Sequence, residues 1–159
     1  MSIHIAITDQ QQALTIDRRR LRTVIRKTLR AEGVPSAEIS LALVDDATIQ
    51  QLNRQHLQHD YPTDVLSFLL AGGPAPGTSF AQAGAGPTLE GEIIVSTETA
   101  VRQAAEYAWG PADELTLYIV HGLLHLCGYD DHSHRDRELM RQRELDILQI
   151  WGLSPHYES

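Results

Sequence analysis

HGLLHLCGYDDHSH, residues 121–134, sets four histidines, two aspartates and a cysteine within fourteen positions. His121 and His125 are four apart, so on a helix both imidazoles leave the same face about one turn from each other. At that spacing two ring nitrogens can grip one cation. Gly128 is expected to end the helix, because glycine takes the left-handed conformation of a C-terminal cap without a Cβ penalty. Beyond it Tyr129, Asp130, Asp131 and His132 can fold back toward the pair. Two nitrogens from a rigid helix, a third ligand from the following turn and a fourth position for water describe a catalytic zinc centre, whereas structural sites close with four protein ligands. A single histidine on an apolar helix is ordinarily core packing. A pair at this spacing, followed by a glycine break and a second cluster, points to a metal.

The helix that carries the pair starts at Pro111, with proline in first position and Asp113 and Glu114 in the first turn. Leu115, Leu117, Ile119, Val120, Leu123, Leu124 and Leu126 make it apolar nearly all round, which marks a central, buried helix. Histidines on such a helix are desolvated and rigidly held. Cys127 reads as small core filling. Downstream, Ser133 with Asp136 resembles a capping box and opens a last helix whose Met140, Ile147, Leu148 and Trp151 face inward.

Upstream, Ser2 to Thr8 alternates Ile3, Ile5 and Ile7 with polar or small residues, the two-residue period of a half-buried strand. Further strands are expected at Ile39–Val44, Val65–Leu70 and Gly91–Ser96, and helices from Thr15 or Asp17 to about Ala31, from Asp45 or Asp46 to about Leu57, and from about Ser96 to Tyr107. The second helix would turn Ile49, Leu52, Asn53 and His56 inward. His59 to Asp64 is turn material. Residues 71–88 are rich in Gly, Ala and Pro and nearly uncharged, as in a mobile loop or a flap over a site. Together these elements make one α+β domain over residues 1–159, with a small mixed four-stranded sheet, a layer of helices and the buried metal-binding helix at its centre.

The chain has 159 residues, 42% of them apolar and 21% charged, enough for one core without covalent staples. A single cysteine excludes a disulfide framework and fits a reducing compartment. With no apolar run long enough for a membrane span and no basic-then-apolar start, a cytoplasmic protein is expected. The net charge of -8 argues against broad affinity for nucleic acid. Its distribution softens that argument. Arg18, Arg22, Arg26 and Arg30 recur every four residues on the first helix, a ridge of about 18 Å at 1.5 Å per residue, long enough to follow several phosphates. A solvated helix face accounts for the same spacing.

Three stretches resemble the YbeY-type bacterial endoribonucleases, or ribosomal RNA maturation factors: His121 to Asp130 (HGLLHLCGYD), Pro62 to Phe68 (PTDVLSF) and Gly91 to Ser96 (GEIIVS), in the family's order, with Leu52-Asn53 before them. The resemblance spans most of the chain. It implies an α+β domain, one zinc ion per chain held by the histidine motif, cleavage of single-stranded RNA, processing of small-subunit ribosomal RNA and ribosome quality control. Two positions depart from the family. The third ligand, six residues after the second histidine, is usually His, and here it is Asp131. Carboxylate is an ordinary zinc ligand; His132 would serve with a one-residue shift in the turn. The Arg that often follows the family's Asn by four residues is replaced by Leu57.

The expected chemistry is hydrolysis of an RNA phosphodiester by a metal-activated water, with His121, His125 and Asp131 (or His132) as ligands. His121 and Asp130 stand as the catalytic residues. Asp130 or His132 serves as acid-base group, and Asp130 equally as a partner that orients an imidazole. Asp64 reads as a turn or hydrogen-bonding residue, and Trp109 and Tyr129 as core aromatics able to stack bases. Two rival classes are a zinc peptidase, which needs Glu where the chain has Gly122, and a non-enzymatic ribosome-associated metal protein.

Overall fold

The structure, a computed structural model, describes residues 2–57, 64–73 and 88–155. The elements are β1 (Ile3–Asp9), α1 (Arg18–Ala31), β2 (Ala37–Val44), α2 (Asp46–Leu57), β3 (Val65–Ala71), β4 (Leu89–Ser96), α3 (Thr97–Glu106), α4 (Pro111–Leu126) and α5 (His134–Leu148), followed by a 3-10 turn at Gln149–Trp151. Most of the turn expected at His59 to Asp64, including Pro62 and Thr63, most of the loop expected at 71–88, and the side chains of His56 and Leu57 lie outside the described residues.

The strands form one mixed sheet in the order β1-β2-β4-β3, with β1, β2 and β4 parallel and β3 antiparallel along β4. Ile5 pairs with Ile39, and Leu41 with Ile93. Strand alternation sends successive side chains to opposite faces, so the sheet divides the apolar residues into two cores. On one face Ile39, Leu41, Leu43, Ile93 and Val95 pack with α1 and α4; on the other Val44, Leu66 and Ile94 pack with Ile49 of α2. α4 is the central helix, in contact with α1, α3, α5, β3 and β4. Among the described residues no helix is long and apolar enough to cross a membrane.

Local chemistry places the helix ends. Asp17 caps α1 by accepting from Arg20 N at 3.2 Å, Asp45 caps α2 by accepting from Thr48 N at 2.8 Å, and Ser133 caps α5 by accepting from Asp136 N at 3.0 Å. Gly128 has φ 102°, and two hydrogen bonds close α4 behind it: Gly128 N to His125 O at 3.1 Å and Tyr129 N to Leu124 O at 3.0 Å. This is a Schellman turn, and it reverses the chain directly after the histidine pair. Beyond it, Glu32 and Arg143 form an ion pair that ties the end of α1 to α5, and Arg143 also donates to Ala31 O at 2.9 Å.

Candidate metal centre

α4 holds His121 and His125 on one edge while its opposite side seals against the sheet. The seal requires Gly122: a Cβ there would stand 3.1 Å from Ile93 Cγ2, 3.2 Å from Ser67 Oγ and 3.3 Å from Val65 Cγ2. Ser67 Oγ also donates to Gly122 O at 3.3 Å. The absence of a side chain therefore sets how closely the histidine-bearing turn approaches β3 and β4.

The two imidazoles meet edge to face, with ring centroids 4.6 Å apart and Nε2 atoms 3.1 Å apart. Each Nδ1 is turned to an acceptor: His121 Nδ1 lies 2.5 Å from Glu144 Oε1, and His125 Nδ1 lies 3.1 Å from Tyr129 O. A carbonyl or an ionised carboxylate can only accept, so both Nδ1 atoms carry the hydrogen and both Nε2 atoms of the neutral rings present lone pairs. Two lone pairs facing at 3.1 Å repel, so the contact takes either a proton on one Nε2, donated to the other, or a cation between them. Two nitrogens on a tetrahedral zinc, at bonds of about 2.0–2.1 Å, are about 3.3 Å apart, so the spacing fits one divalent cation.

Asp131 comes to this pair from the reversed chain. Its Oδ2 lies 3.9 Å from His125 Nε2, and the ligand atoms of His121, His125 and Asp131 all lie within 4.8 Å of one another. His132 is not part of that group. Its side chain is 86% exposed and its Nε2 lies 3.2 Å from Asp130 Oδ1. Asp130 Oδ1 also accepts from the backbone N of Asp131 at 2.6 Å and of His132 at 3.1 Å. The Asp130 carboxylate thus holds the turn that presents Asp131.

The electrostatics of the pair are unequal. Burial opposes charge on His121, but the hydrogen bond to Glu144 and the Glu144 charge outweigh it and raise its pKa; Asp64 and Asp131 add to the rise. Burial and the neighbouring His121 charge push His125 down. Asp64, exposed at the start of β3, therefore acts on the site through its charge. Two turns before His121 on α4, Glu114 is buried and accepts from Trp109 Nε1 at 2.5 Å, which commits that indole to the fold. Tyr129 is half-buried against the core, and Cys127 is buried.

The arginine ridge is divided. Arg18 Nη1 donates to Ile7 O at 3.0 Å and Arg22 Nη1 to Ile5 O at 2.7 Å; Arg22 is half-buried, and Arg18, Arg26 and Arg30 are exposed. Sequence reasoning did not single out Glu144. Its signal was available: a carboxylate four residues after Met140 and three before Ile147, on the apolar stripe of α5, has no reason to face inward unless a partner waits there.

The family model described as Endoribonuclease YbeY matches residues 6–152. A protein of Moorella thermoacetica named Endoribonuclease YbeY is 46% identical over 134 residues, covering 84% of this chain and 85% of its own length. One of the same name from Salinibacter ruber is 39% identical over 144 residues, covering 91% and 89%. The solution structure of TM1509 from Thermotoga maritima shares the fold, with a TM-score of 0.55 at 24% identity over 94% of this chain and 91% of that one. With its histidine motif on a buried helix and matches over nearly its whole length, the chain belongs to the Endoribonuclease YbeY family.

Proposed function

We propose that this protein is a zinc-dependent endoribonuclease that cuts single-stranded RNA, acting in the processing of small-subunit ribosomal RNA and in ribosome quality control. The observation that carries the metal reading is the convergence of two Nε2 atoms at 3.1 Å with both Nδ1 atoms engaged elsewhere and Asp131 beside them. The family relation supports the reaction class and the substrate.

His121, His125 and Asp131 would hold the ion. When bound, zinc supplies Lewis-acid polarisation of a phosphoryl oxygen and a water of lowered pKa. Two neutral imidazoles and one carboxylate leave a net positive centre for an anionic substrate. Asp130 keeps Asp131 in place through the turn amides, and the Asp130–His132 pair, 3.2 Å apart, stands beside the ligand as the proton-carrying group for the leaving oxygen. On α1, Arg26 and Arg30 are the ridge members open to phosphates. The Glu32–Arg143 tie brings that end of α1 toward the Tyr129 turn. A peptidase reading is disfavoured, because the position of its general base is the packed, buried Gly122.

Metal content by mass spectrometry, paired with cleavage of a single-stranded RNA, tests this on the wild type and on His121→Ala and Asp131→Asn. One zinc per chain in the wild type, lost together with cleavage in both variants, is expected. A wild type that holds zinc but never cuts RNA would overturn the enzyme reading in favour of a binding protein.

A further inference from the structure

We infer that Glu144 is a positioning residue: it fixes the tautomer and ring angle of His121, so that Nε2 is the atom His121 offers to a cation. The inference rests on the metal-site reading above and adds a residue from a different helix to it. The reason for a distant partner lies in helix geometry. His125 sits in the last turn of α4, where the chain reverses and the Tyr129 carbonyl becomes available to its Nδ1 at 3.1 Å. His121 sits one turn deeper. The carbonyl four residues ahead of it, at His125, already accepts from Gly128 N. The acceptor for His121 comes from another element: α5 supplies Glu144 Oε1 at 2.5 Å across 23 positions of chain.

A simple tie between α4 and α5 does not account for a carboxylate there. The Glu144 side chain is 3% exposed, between Met140 and Ile147 of the apolar face. Burying a carboxylate is costly, and replacing a buried charged pair by well-packed apolar residues is often neutral or stabilising. A charge at this position makes sense where the partner ring needs a fixed hydrogen and added basicity at its other nitrogen, as in carboxylate–histidine–metal arrangements. The two ligands are thereby unequal: His121 is backed by a carboxylate and His125 by a neutral carbonyl.

The test has two readouts apart from cleavage. First, two-bond 1H–15N correlation spectra of the metal-free wild type, labelled at histidine, report the tautomer of neutral His121, which is expected to be Nδ1–H. An Nε2–H tautomer would overturn the inference. Second, zinc affinity is measured by competition with a chromophoric chelator for wild type, Glu144→Gln and Glu144→Ala. The near-isosteric Gln keeps an acceptor but loses the charge, and should weaken zinc binding roughly tenfold; Ala should weaken it up to about 100-fold. Wild-type affinity in a folded Glu144→Ala protein would leave Glu144 as a helix tie only, and if that variant does not fold, Glu144→Met, which keeps the bulk and removes the acceptor, decides the matter. If the wild type takes up no zinc at all, the proposed function fails, while its His121 tautomer still decides the present inference.

Discussion

His121 Nε2 and His125 Nε2 stand 3.1 Å apart with both Nδ1 atoms turned away to Glu144 and Tyr129. Such a pair is preformed for a cation, so binding should stabilise the native state without building it. At a zinc concentration 100 times the dissociation constant the gain is about 2.7 kcal/mol, which for a chain of this size raises Tm by about 5–10 °C. Protons compete for the same atoms, so the zinc-dependent gain shrinks as pH falls. Differential scanning calorimetry with and without zinc, at pH 7.5 and pH 5.5, checks both statements. Loss of helical circular dichroism on chelation would instead mark a site that holds the fold together.

Gly122→Glu would write the peptidase-like HExxH pattern into the motif. Its Cβ would already be within 3.1–3.3 Å of Ile93, Ser67 and Val65, and the carboxylate beyond would lie in the α4–sheet interface. Overpacking costs about 1–3 kcal/mol and an unpaired buried charge several more. The expected result is a protein that fails to fold or melts far below the wild type, with no peptidase activity. Expression yield, thermal unfolding and a casein assay test it; a stable Gly122→Glu protein would contradict the packing described here.

Asp46, in the first turn of α2, joins that helix to α3. It accepts from Ser96 Oγ at 2.6 Å, Thr99 Oγ1 at 2.7 Å and Arg102 Nη1 at 2.5 Å. Burial raises its pKa, but the hydrogen bonds from Arg102, Ser96 and Thr99 together outweigh that and leave it lowered. A lowered folded-state pKa means stability that is present above the unfolded value of about 3.9 and lost as pH falls through the folded value. Asp46→Ala should cost about 1.5–3 kcal/mol at pH 7. Arg102→Ala should cost under about 1 kcal/mol, since that side chain is 57% exposed. Urea unfolding should show the Asp46→Ala deficit shrinking as pH falls below the unfolded value of about 3.9. An equal deficit at pH 7 and pH 3 would mean the carboxylate charge contributes nothing.

Arg18 and Arg22 cover Ile7 O and Ile5 O on the open edge of β1, while Ser2 O on the opposite side of the strand receives Ala37 N of β2. Edge carbonyls left bare invite pairing with other chains. The double substitution Arg18→Ala/Arg22→Ala should lower stability by about 1 kcal/mol and increase aggregation by light scattering. Arg26→Ala/Arg30→Ala should leave stability unchanged. If each contacts one phosphate of a single strand, that variant binds RNA with a salt slope shallower by about 1.4, at about 0.7 per contact. An unchanged slope by fluorescence anisotropy would remove the ridge from the RNA surface.

Much of the fold is legible in the chain itself because it is local. The alternation of Ile3, Ile5 and Ile7, the all-round apolar run from Leu115 to Leu126, and the caps at Asp17, Asp45 and Ser133 each express a preference of a few neighbouring residues. The His121–His125 spacing and the Gly128 reversal belong to the same class, and both are in the structure where the periodicity put them.

The structure decided what depends on distant parts of the chain coming together. That β3 runs antiparallel along β4 at the sheet edge is a pairing between separate stretches of chain, which no local window contains. Asp131 rather than His132 lies beside the histidine pair because Asp130 folds the turn around its own carboxylate. Two of the four ridge arginines are committed to β1, 11 and 17 positions away. Glu144 reaches His121 only because α5 packs on α4. Sequence by itself determined which side chains could serve a metal, since residue type and helical pitch are local; tertiary packing alone decided which of their atoms meet, since hydrogen-bond partners are set by how whole elements dock.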